Sequence, residues 1–104
     1  MPPQPDPKQN DRLWPLILEI AKILGRRGMP QHQSQPRPKS GYIVRRDGTS
    51  GVEVYYVEAD PAKHHEMQAS FVSIIGPVLS KAFGASRVQR RDHGNLKGFL
   101  VKLA

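Results

Sequence analysis

The chain has 104 residues, 38% of them hydrophobic, with ten prolines, which bounds it to one modest domain plus segments outside any core. It contains no cysteine, so a disulfide framework, a thiolate metal site and a cysteine nucleophile are all excluded. Sixteen Lys and Arg against nine Asp and Glu give a formal net charge of +7, which favours polyanionic partners, nucleic acid first and anionic lipid second.

Residues 1–10, MPPQPDPKQN, alternate proline with polar groups and read as a flexible Pro-rich arm. They lack the basic start, apolar stretch and cleavage site of a secretory signal, so a cytoplasmic location is expected. Asn10 or Asp11 can cap a helix over residues 11–25, with Pro15 in its first turn and Gly25 and Gly28 as its stop. Leu13, Leu16, Ile17, Ile20 and Leu24 form one stripe of this helix, while Trp14, Leu18, Ala21 and Ile23 extend the apolar surface almost all round. Such a helix is buried on more than one side, against its own domain or against a partner. Leu13 to Leu24 is about half the roughly 20 residues that a membrane span needs, and it carries Glu19 and Lys22.

Residues 26–40 are basic and rich in Pro and Gln, as expected of an extended linker. From Gly41 the apolar period changes to two. Tyr42 to Arg46 and Val52 to Glu58 read as strands joined by the turn chemistry of Asp47-Gly48-Thr49-Ser50-Gly51. Asp60-Pro61 opens a second helix carrying Met67, Phe71, Ile74, Ile75, Val78, Leu79 and Ala82, and Pro77 is expected to kink or divide it. Ser86 to Arg91 and Leu96 to Leu103 form a second hairpin about Asp92-His93-Gly94-Asn95.

The order α-β-β-α-β-β implies an α+β domain over residues 41–104, with a four-stranded, mainly antiparallel sheet packed by one long helix. The last strand is apolar in both registers, with Phe99, Val101 and Leu103 on one side and Leu96 and Leu100 on the other. The N-terminal helix is therefore expected to cover the second face or to form a dimer contact.

Three kinds of site follow. Arg45, Arg46, Arg87, Arg90, Arg91 and Lys97 lie on the two hairpins, where guanidinium groups at ladder spacing can follow phosphates. Arg26 and Arg27 add cations just past the first helix, where they also suit its dipole. The competing reading of the strand arginines is solvated charge that protects sheet edges. Tyr42, Tyr55 and Tyr56 can offer stacking surface or pack across strands.

His32, His64, His65 and His93 have no metal-ligand spacing. No phosphate loop, GxGxxG or GxSxG element occurs, and Glu53, Glu58, Asp60, Glu66 and Asp92 have no paired-carboxylate logic beyond turns and caps. No catalytic residue, metal or cofactor is expected. The composition points to a nucleic-acid-binding accessory or regulatory protein, DNA or RNA, with a dimer through the N-terminal helix as the expected assembly. The alternative is an adaptor or dimerisation module docking through Leu13, Leu16, Ile17, Ile20 and Leu24.

Overall fold

The computed structural model describes residues 12–33 and 39–103. The N-terminal arm, the expected caps Asn10 and Asp11, and linker residues 34–38 lie outside the described residues.

The first helix, α1, spans Leu13–Arg26. It runs through Gly25 and stops at Gly28, whose positive φ of 76° suits a residue without a Cβ. The Gly28 N–H donates to the Gly25 carbonyl at 3.0 Å and the Met29 N–H to the Leu24 carbonyl at 3.1 Å, the paired bonds of a Schellman ending. The chain then runs along the sheet: the Tyr42 N–H donates to the Pro30 carbonyl at 3.0 Å, and the His32 N–H to the Tyr42 carbonyl at 2.8 Å. Pro30 to His32 is thus fastened to the edge of the first strand, a constraint that the linker's composition does not signal.

Four strands follow: β1 (Gly41–Asp47), β2 (Gly51–Val57), β3 (Val88–His93) and β4 (Leu96–Lys102), in the spatial order β1-β2-β4-β3 with every pair antiparallel. The β-branched and aromatic content of β2 and β4 suits these central positions. Between the hairpins lies α2 (His64–Phe83). Asp60 accepts a hydrogen bond from the Ala62 N–H at 3.0 Å and Pro61 opens a short 3-10 turn into the helix. Pro77 does not divide α2. Both Pro77 and Ser73 are exposed, so the Ser73 carbonyl that loses its donor can turn to water instead.

Register sorts the strand residues into two faces. On one, Tyr42, Val52, Val54, Tyr56, Phe99 and Val101 form a single cluster with Leu13, Leu16, Ile20 and Leu24 of α1 and Phe71, Ile75 and Leu79 of α2. The α+β class, the antiparallel sheet and the long helix on one face agree with the sequence. Both helices lie on that face, α1 over β1 and β2 and α2 mainly over β4, so cover of the second face is not the role that α1 takes. Dimensions supply a reason: helices pack about 8–10 Å apart, whereas four strands at about 4.8 Å span too much surface for one helix.

Gln68, 2% exposed, stands among these apolar groups. The last β2–β4 pair is Tyr55↔Gly98. Beyond it the Gln68 amide donates to the Tyr56 carbonyl and accepts from the Lys97 N–H at 2.7 Å. One side chain thereby satisfies two backbone groups where the central strands part.

Candidate nucleic-acid interface

Two ends of the sheet are useful landmarks. The lower end holds Arg46 and Asp47 of β1, Gly51 and Val52 of β2, Val101 and Lys102 of β4, and Val88 of β3. The upper end holds Gly41, Val57, Leu96 and His93.

The eight cations singled out in the sequence do not form one surface. Arg45 and Arg91 lie on the helix-free face, Arg46 and Arg90 on the other, and β1 and β3 are opposite edges of the sheet. Arg91 is engaged by two carboxylates, Asp47 at 2.9 Å and Glu53 at 3.1 Å. Arg90 pairs with Asp92 at 3.0 Å, donates through Nε to the Gly98 carbonyl at 3.3 Å, and rests 5.8 Å from the Phe99 ring centre. Lys97 faces Asp92 across β3 and β4 at the upper end. Arg26 and Arg27 are exposed beside the α1 ending that precedes Tyr42, whereas Arg46 stands four residues further along β1, about 13 Å away along the strand.

The helix-free face closes over itself. Tyr55 is only 1% exposed although neither described α-helix lies on this face. Its ring lies against Gly98, where a Cβ would strike the Val54 carbonyl and the ring itself, and its hydroxyl donates to Glu53 at 2.6 Å. The ring of His93 is 5.7 Å from it, and Arg45 approaches His93 Nε2 at 3.2 Å. Arg91 and Arg45 thus reach between the outer strands above Tyr55. Burial, reinforced by Glu53, pushes the Tyr55 hydroxyl up to about 12. The Tyr55 hydroxyl, and after it Arg91, hold Glu53 below the usual carboxylate range against the opposing effect of burial. Tyr42 and Tyr56 are buried under the helices, so none of the three tyrosines offers a stacking platform.

The lower end differs. Exposed Arg46, half-buried Lys102 and half-buried Arg87 are joined there by exposed Lys81 from the last turn of α2. Arg87 donates through Nε to the Lys102 carbonyl at 2.9 Å and rests 5.6 Å from the Phe83 ring centre, which fixes its direction. Asp47 is the one carboxylate in the two lowest rows of the sheet, and Arg91 already engages it. Lys81 was not singled out in the sequence, because it reaches this end of the sheet only through the placement of α2.

The docking stripe of the alternative reading is occupied. Leu13, Leu16, Ile20 and Leu24 are buried in the chain's own core and Ile17 packs against it, so this stripe is not open to a partner as the chain is folded. Among the described residues no three His, Asp or Glu side chains come together as metal ligands, and no helix is long and apolar enough to cross a membrane. Comparison with known protein families, curated proteins and solved structures finds no match for the chain.

Proposed function

We propose that the chain is a small, non-enzymatic nucleic-acid-binding accessory protein that takes phosphates at the lower end of its sheet. The supporting observation is that Arg46, Lys81, Arg87 and Lys102 all stand at this one end, Arg46 on the helix-bearing face and Lys102 on the other, beside two rows of the sheet that hold one carboxylate, Asp47. Strand spacing puts Arg46 and the β3 edge about 14 Å apart, to be compared with about 3.4 Å of axis per phosphate in one strand of a duplex. Such a row can follow a backbone and reads no base edges, so the binding is electrostatic and indifferent to sequence. Arg45, Arg90, Arg91 and Lys97 are secondary in this reading, since Arg45 and Arg91 reach inward over Tyr55, Arg90 lies at mid-strand over Phe99, and Lys97 stands at the other end. The cysteine-free sequence suits a reducing, cytoplasmic setting.

The test is a salt titration of affinity for duplex DNA, single-stranded DNA and structured RNA. Four phosphate contacts give a slope of log K against log salt of roughly −3 to −4 on duplex DNA. Replacing Arg46, Lys81 and Lys102 with alanine is expected to remove about 0.9 from that slope per residue. The change Arg91→Ala is expected to leave the slope nearly as it was. A triple variant that binds like the parent at every salt concentration ends this reading.

A further inference from the structure

The two edges of the sheet are finished differently. On β1 the outward N–H and C=O of Tyr42 are taken by Pro30 and His32. On the other side β3 has one neighbour among the described residues, β4. His93 and Leu96 flank the two-residue turn Gly94-Asn95, and residues flanking such a turn exchange hydrogen bonds. Alternation then assigns His93, Arg91 and Gln89 to β4 and turns the backbone groups of Val88, Arg90 and Asp92 outward. Side chains of these three point to the helix-bearing face, where Val88 packs against the core and Arg90 lies over Phe99.

We propose that the outer edge of β3 is a docking strand for an extended acidic segment of a partner protein, which adds to the sheet as a fifth strand. Backbone pairing supplies the geometry and charge supplies the choice of partner. Along this edge stand Arg87 and Arg90, with Lys97 one strand in on β4, against the single carboxylate of Asp92, which Arg90 holds at 3.0 Å. Arg87 and Arg90 are laid along the rings of Phe83 and Phe99, so two guanidinium groups are presented in fixed directions. An incoming strand that carries an acidic residue opposite Arg90 and an apolar one opposite Val88, two positions apart, meets both. A second copy of this chain is a poor occupant: centred on Arg90, the antiparallel pairing sets Arg90 against Arg90 between chains that each carry +7.

The assignment shares Arg87 with phosphate binding at the lower end and is told apart from it by the outward backbone amides of β3, which phosphate binding does not use. It is tested with the full chain, isotopically labelled, and a blocked synthetic octapeptide alternating Glu and Val with Thr. Saturable binding is expected, with shift and slowed exchange at the amides of Val88, Arg90 and Asp92. The Lys-for-Glu peptide is expected to bind at least tenfold more weakly, as is the Glu peptide on Arg90→Glu. N-methylation of the Glu peptide at alternate residues, which leaves the protein untouched, is expected to abolish binding in one register only. The proposal is overturned if no saturable binding occurs at millimolar peptide, if binding leaves those three amides unmoved, if both N-methyl registers bind equally, or if the Lys peptide binds as well. Perturbation of those amides by duplex DNA to the same extent as by the peptide also overturns it.

Discussion

The two faces of the sheet bury apolar groups by different means. Under the helices, Val52, Val54, Phe99 and Val101 are buried by side chains from α1 and α2. On the other face Tyr55 and Leu100, at 1% and 5% exposure, are buried without any helix. Each lies down on a cross-strand or diagonal glycine: Tyr55 on Gly98, and Leu100 beside Gly51, where a Cβ would come within 3.0 Å of a Leu100 methyl. Arg91, Glu53 and Asp47 then roof the surface. An apolar residue on a second face therefore does not require a second layer, provided that the neighbouring strand leaves room and charged groups bind one another above it.

The contrast predicts a graded response along adjacent positions of β4. Replacing Phe99 with alanine opens a cavity between α2 and the sheet and is expected to cost about 3–5 kcal/mol. Leu100→Ala is expected to cost about 2–3 kcal/mol, because the long side chains above it can settle. Urea unfolding of both variants measures the difference, and a larger loss at Leu100 would show the helix-free face to be the principal core. Gln68→Leu keeps the volume but strands the Tyr56 carbonyl and the Lys97 N–H, at about 1–3 kcal/mol for each group. Faster hydrogen exchange at the Lys97 amide is its signature. Gly98→Ala brings a Cβ against the Val54 backbone, which cannot swing aside, and about 1–3 kcal/mol of strain is expected.

Most of the architecture was legible because its signals are local. Asp47-Gly48 and Gly94-Asn95 announce hairpins, and the stripe from Phe71 through Ile75 to Leu79 announces a helix face. The side of the sheet that α1 occupies was not legible, since its apolar surface fits either face and the choice depends on the width left uncovered by α2. Gln68 was hidden because a single amide within an apolar stripe has the same pattern as a surface residue. The phosphate site was legible only in its charge. Arg46 and Arg91 look alike in the sequence, and it is the folded sheet that gives Arg91 two carboxylates and sets Arg46 in the row of Val52 and Val101 at the lower end.

The finest test of the two faces is a pair of hydroxyl deletions. Tyr55 donates to Glu53 on the helix-free face, and Tyr56 donates to Glu58 at 2.8 Å under the helices. Burial first, and the carboxylate second, raises both phenols, Tyr55 to about 12. A raised folded-state value means that stability is whole below the unfolded value of 10.0 and declines as pH rises through the folded one. Both Tyr→Phe changes should therefore soften the alkaline decline. The acid limb separates them. Glu53 and Glu58 are both held low, which gives stability that is present above the unfolded carboxylate value and lost as pH falls through the folded one. Tyr55 is the first cause for Glu53, whereas Glu58 is held first by Ser40, whose hydroxyl donates to it at 2.7 Å, and only then by Tyr56. Tyr55→Phe should flatten the acid limb and Tyr56→Phe should largely keep it, as read by denaturation midpoints across pH. Equal flattening in both would mean that Ser40 does not hold Glu58 alone, and that a carboxylate with two hydroxyl donors is no better secured than one with a single hydroxyl donor.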